Sequence, residues 1–129
     1  MEARVTLNTS FNNGQIDSRV FSGFLEHLGR SIYGGVYDPD SDHSNDEGIR
    51  TDVAEDMTGM NMPYVRYPGG NFVSNYDWRG GVGPDRKPFP DFAWKTTEPN
   101  TFGTDEFMKW CKLVGTEPMM AVNLGTLGP

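Results

Sequence analysis

The chain has 129 residues, 36% of them hydrophobic and 22% charged, which fits one ordinary folded unit and argues against disorder. With 18 acidic against 11 basic residues its formal charge is -7, which disfavours nucleic acid or an anionic membrane surface as a partner, because both need clustered Lys and Arg. The single cysteine, Cys111, cannot form an internal disulfide, and no basic stretch followed by an apolar run comes after Met1; the expectation is a cytoplasmic protein with no membrane span.

Arg4-Val-Thr-Leu-Asn8 alternates polar and apolar residues as a half-buried strand does, and Asn12-Asn-Gly14 is a turn signal, so a peripheral hairpin is expected there. Val20 to Leu25 is a short apolar run ending on Glu26-His27 and reads as a first buried strand. From Asp46, Ile49, Val53, Met57 and Met60 fall at helical spacing. Asp46 and Glu47 are placed to meet the helix dipole, and Pro63 marks the stop. Tyr64 to Tyr67 is a very short strand closed by Pro68-Gly-Gly70 and followed by a long loop rich in Gly, Pro and aromatic residues. Thr104 can cap a second helix with Asp105 and Glu106 in its first turn, Phe107, Trp110, Cys111 and Val114 on one face, and Gly115 at its end. Met119 to Val122 is a third apolar strand ending on Asn123. This order of strands and helices predicts a right-handed α/β unit on a parallel sheet buried on both faces. Glu26, Arg66 and Asn123 stand at the C-terminal strand ends, the edge where such folds build their sites. Three strands are less than half of the eight in a (β/α)8 barrel of about 250 residues.

Glu26 and His27 admit two readings from the pattern: a carboxylate that accepts hydrogen bonds from sugar hydroxyls, or a turn cap beside a hydrogen-bonded core histidine. Arg66 offers a rigid fork of donors suited to holding a carboxylate, while Gly69 and Gly70 let the chain turn so that Asn71 points back to the same edge; the alternative is a surface ion pair in a turn. Trp78 and Trp94 can stack on sugar rings or simply cover the top of the fold. The glycines near Arg79 lack the phosphate-loop pattern and no helix starts after them. His27 and His43 lie apart, Cys111 falls on an apolar helix face, and no Gly-x-Ser-x-Gly elbow is present. No metal, cofactor or nucleophilic triad is therefore expected.

Five segments in order, Phe21 to Gly29, Arg66 to Trp78, Gly83-Pro84, Glu98 to Phe107 and Ala121 to Thr126, resemble the opening half of family-51 glycoside hydrolases of the intracellular α-L-arabinofuranosidase type. The resemblance runs from about Val20 to the last residue. It implies that residues 20–129 are the first part of a TIM (β/α)8 barrel, about three β/α units, and that residues 1–19 contribute a strand to a β-sandwich. It further implies that Glu26 and Asn71 bind the arabinofuranosyl unit, that Arg66 holds the catalytic nucleophile, and that Trp94 contacts the next sugar. The acid/base and nucleophile follow the fourth and seventh strands in that family, so neither is expected here. The implied parent enzyme is homo-oligomeric and removes terminal α-L-arabinofuranosyl residues from arabinan or arabinoxylan with retention. The segment alone is expected to be inactive and to need the remainder of the barrel or a self-association partner. Asn75, Pro99 and Leu127 depart from residues common in the family. A non-catalytic carbohydrate-binding or interaction module, or a related endoglucanase or xylan-active hydrolase, is the alternative.

Overall fold

The computed structural model describes residues 1–128; Pro129, the last residue of the resemblance, lies outside them. Three parallel strands form one sheet in chain order, β1 (Gly23–Phe24), β2 (Tyr64–Tyr67) and β5 (Glu117–Met120). Helix α1 (Thr51–Gly59) connects the first two and helix α2 (Thr104–Val114) leads into the third. A two-stranded antiparallel hairpin, β3 (Phe89–Asp91) and β4 (Thr96–Glu98), stands in the long loop between β2 and α2. The α/β reading therefore holds.

Helix α2 follows its sequence closely. Phe107, Trp110, Cys111 and Val114 are all buried, at the i, i+3, i+4, i+7 positions that form one helix stripe, and Gly115 ends the helix with a left-handed φ of 79°. The start differs by one residue: Gly103 is the N-cap, and the Glu106 carboxylate accepts its N–H at 2.8 Å. Helix α1 begins later than expected. Asn45 Oδ1 accepts from the N–H groups of Glu47 and Ile49 at 3.1 and 3.0 Å, which folds that stretch into a turn. Asp46 and Glu47 are thus kept out of the helix, and Asp52, paired with Arg50, is the acidic residue of its first turn. Of the expected apolar stripe, Ile49 is buried and Val53 and Met57 pack on the core, but Met60 is exposed.

The first strand is shorter than its apolar run, because Ser18–Phe21 forms a 3-10 turn capped by Asp17. Pairing continues past its end: Leu25 N donates to Arg66 O at 2.8 Å and His27 N to Pro68 O at 2.7 Å. The third strand lies two residues early, although Ala121 N still donates to Tyr67 O at 2.8 Å. Residues 4–8, expected as a strand, are exposed and pair with no strand among the described residues.

One face of the sheet is buried within this chain, and the other is left open, in line with the expectation that the segment needs the remainder of the barrel or a partner. Val65 and Tyr67 point into a core with Leu25, Ile32, Phe107, Trp110 and Val114, whereas Phe24, Arg66 and Met119, aligned across the three strands, face outward. Both helices pack on the same side. Cys111 sits in this core, where burial pushes its thiol up to about 12. It should therefore resist a thiol reagent at pH 8 in the folded protein and react fully in denaturant; rapid native labelling would contradict that packing.

Candidate functional site

The turn after β2 wraps around the side chain of Glu26. Its Oε1 accepts from Gly70 N and Phe72 N, both at 3.3 Å, and its Oε2 accepts nothing among the described residues. Gly69 makes this approach possible: its φ is +138°, and a Cβ there would stand 2.4 Å from Glu26 Cγ. Glu26 thus braces a turn distant in sequence rather than capping its own. Asn71, the residue between the two donors, is exposed, and its side-chain amide makes no hydrogen bond among the described residues.

Arg66 lies on the open face of the sheet. Its guanidinium carbon is 5.1 Å from the centroid of the Phe24 ring, and Nη2 donates to Gly69 O at 3.1 Å. No carboxylate pairs with it among the described residues, so the alternative of a surface ion pair fails and most of the donor fork is free. Glu26, Arg66 and Asn71 are therefore brought together around the Gly69 to Phe72 turn.

Trp94 is placed elsewhere on the same edge. It lies in the turn of the β3/β4 hairpin, 36% exposed, and lines a cavity of about 380 Å³ with His27, Tyr33, Asp91, Thr97, Glu98 and others. Trp78 belongs to a different hollow, beside Arg79, Asn123 and Leu127. The two indoles thus do not form one platform. The glycines near Arg79 serve packing: Gly81 is buried against Gly103, and Arg79 pairs with Asp77 at 2.7 Å.

Beneath the cavity is a polar network that the sequence reading passed over. His27 is buried, stacked on Phe72 at 4.5 Å, with Nδ1 3.0 Å from the Tyr67 hydroxyl and Nε2 2.8 Å from Glu98 Oε2. The Nε2 contact is close but off the line of an ideal hydrogen bond. In the neutral ring the carboxylate places the hydrogen on Nε2, leaving Nδ1 to accept from Tyr67. Glu98 Oε1 also accepts from the Tyr33 hydroxyl and from Asn100 N, the latter at 2.8 Å. Burial pushes the Glu98 carboxyl up, but His27, Tyr33 and Asn100 together outweigh it and hold the group below its ordinary value. Burial raises the hydroxyls of Tyr33 and Tyr67 well above the usual tyrosine range, so both remain proton donors. Of the two readings of His27, the hydrogen-bonded core histidine is the one realised. Glu98 offered little signal in the sequence, since its partners lie 71 and 65 residues away.

Asn123, the third polar strand end, is fully used by the protein. Its Nδ2 donates to Ser74 O and Thr126 Oγ1, and its Oδ1 accepts from Gly125 N and Thr126 N. It ties the loop after β5 to the turn that begins at Asn71. Asn75 fastens the same region to the hairpin through Pro90 O at 3.1 Å.

Residues 56–128, more than half of the chain, match the family described as the α-L-arabinofuranosidase 1 domain. The chain belongs to this α-L-arabinofuranosidase family. It is 52% identical, over 98% of its length, to the intracellular exo-α-(1→5)-L-arabinofuranosidase of Acetivibrio thermocellus, and 46% identical to intracellular exo-α-(1→5)-L-arabinofuranosidase 1 of Bacillus subtilis. It spans 26% of the length of each of these relatives. Among solved structures, the family-51 α-L-arabinofuranosidase from Bifidobacterium longum superposes with a TM-score of 0.82 at 48% identity, over 84% of this chain and 22% of that one. The family-51 arabinofuranosidase of Xanthomonas axonopodis pv. citri gives 0.84 at 38% identity, over 91% and 24%. The two gatherings of side chains, Glu26 with Arg66 and Asn71, and Trp94 with its cavity, therefore lie in an arabinofuranosidase-like framework. No group of three or more His, Cys, Asp or Glu able to hold a metal ion occurs among the described residues, and no helix there is long and apolar enough to cross a membrane.

Proposed function

We propose that this chain forms the opening segment of a cytoplasmic, homo-oligomeric retaining glycoside hydrolase that removes terminal α-L-arabinofuranosyl residues from arabinan or arabinoxylan fragments. The observation that carries this is the turn from Gly69 to Phe72. It holds one oxygen of Glu26 and leaves the other free, and Asn71, whose exposed amide has no partner among the described residues, is the residue between the two donors; an acceptor and a donor on one turn suit sugar hydroxyls. Residues 20–129 are then the first part of a (β/α)8 barrel. The exposed row of Phe24, Arg66 and Met119 is the face that further strands would cover. Residues 1–19, exposed throughout, supply a strand to a β-sandwich. Arg66 has free donors with which to hold the catalytic nucleophile, and Trp94 meets the next sugar unit. A retaining mechanism requires two carboxyl groups about 5 to 5.5 Å apart, one as acid/base and one as nucleophile. Glu26, held as a hydrogen-bond acceptor, is neither in this reading, so the segment binds substrate without cleaving it.

The full-length protein should hydrolyse an aryl α-L-arabinofuranoside with retention, read by NMR of the anomeric product. Glu26→Ala should lower kcat/KM by about ten- to hundred-fold, the size of a hydrogen bond to a charged group. The 129-residue chain alone should show no turnover. Inversion, or robust hydrolysis by the segment, would refute the proposal.

A further inference from the structure

The end of β1 is anchored without help from the hairpin. Leu25 and His27 are hydrogen-bonded through their backbone N–H groups to Arg66 O and Pro68 O, and Glu26 is held by Gly70 and Phe72. The His27 ring is fixed in turn by Phe72 and Tyr67. The hairpin has its own ties at the base and along β3: Phe89 packs against Tyr76 at 5.7 Å and Phe72 at 6.2 Å, Asn75 donates to Pro90 O, and Asn100 donates to Lys87 O at 2.7 Å. In β4, however, the only buried residue is Glu98, and Trp94 and Lys95 in the turn are exposed. Glu98 therefore ties β4 to the fixed strand end through His27 on one oxygen and to Tyr33 through the other, which also accepts from Asn100 N two residues further along the same segment.

We propose that Glu98, acting through His27 and Tyr33, is a positioning residue that sets the Trp94 hairpin at a fixed height over the cavity, and so governs binding of the sugar beyond the terminal one. This rests on the sugar-cleaving reading above. A ligand confined to the terminal site touches the Glu26 side, which keeps its own anchors. A longer ligand also needs the hairpin wall. The contribution of Glu98 is therefore selective for chain length, whereas a merely structural ion contact would affect all ligands alike.

The test uses the full-length protein with Glu98→Gln, which keeps the shape and removes the charge facing His27 and Tyr33. KM for an α-(1→5)-linked arabino-oligosaccharide should rise about ten-fold, equivalent to one modest contact, with kcat little changed. Inhibition by free arabinose, which needs only the terminal site, should stay within about two-fold. In a Trp94→Ala background the same change should add almost nothing, as expected for two residues acting through one contact. Tyr33→Phe, a milder variant that leaves His27 and Asn100 in place, should shift the oligosaccharide KM in the same direction by about three-fold. Equal losses for arabinose and oligosaccharide, an unchanged KM ratio in both variants, or full additivity with Trp94→Ala would overturn the proposal. Failure of the underlying reading is separately visible, because the unmodified protein would then turn over no arabinofuranoside at all.

Discussion

Gly69→Ala is expected to lower kcat/KM by about a hundred-fold while Gly70→Ala, one residue away, has little effect. The added methyl at Gly69 would stand 2.4 Å from Glu26 Cγ and 3.0 Å from its Cδ, so the carboxylate must retreat by about an ångström, a misplacement that typically costs about two orders of magnitude in rate. The backbone resists as well, since a φ of +138° is a region that side-chain-bearing residues rarely adopt, with strain of about 1–3 kcal/mol. At Gly70 the corresponding methyl would lie 3.7 Å from Glu26 Oε1, an ordinary contact. Steady-state kinetics of the two variants on an aryl arabinofuranoside separate the cases. Equal behaviour would mean that the brace around Glu26 is not what organises the site.

The second large effect is on stability. Gly103 caps α2 and lies directly against the turn at 78–81, where a Cβ would be 2.1 Å from Gly81 O and 2.6 Å from Gly81 Cα. Both neighbours are backbone atoms, which cannot swing aside as a flexible side chain would. Gly103→Ala must pry the helix start away from the turn, disturbing the Glu106 cap and its ion contact with Arg86 at 2.6 Å. Overpacking ordinarily costs about 1–3 kcal/mol, and the loss of a cap adds about 1 kcal/mol, so about 3 kcal/mol is expected, a large share of a domain's net stability. Urea unfolding should show a clearly lower midpoint with an unchanged slope, and an unmoved midpoint would contradict the close approach.

Helix α2 was legible almost residue by residue, because its stripe of Phe107, Trp110, Cys111 and Val114 and its closing Gly115 are local patterns that the packing merely uses. The start of α1 was not, since Asn45 Oδ1 takes the N–H groups of Glu47 and Ile49 and folds into a turn the stretch expected to open the helix. A side chain competing for backbone donors leaves no mark on hydrophobic periodicity. The polar ends at Glu26, Arg66 and Asn123 were all visible, yet the three differ in fate. Glu26 and Arg66 keep free hydrogen-bonding capacity, while Asn123 spends its own on Ser74, Gly125 and Thr126. Nothing in the residue types could separate them, because what differs is which distant backbone groups arrive within reach.

What the sequence by itself determined is the order of the three parallel strands and two helices, though not the hairpin between β2 and α2, the residues standing at the strand ends, and a family resemblance that the similarity to α-L-arabinofuranosidases supports. Those follow from local periodicity, turn chemistry and short motifs. Only the tertiary structure decided that His27 is a core residue joined to Glu98 and that Trp94 and Trp78 face different hollows. Each of these depends on groups far apart in the chain meeting within about 3–6 Å, the range over which hydrogen bonds and ring contacts act.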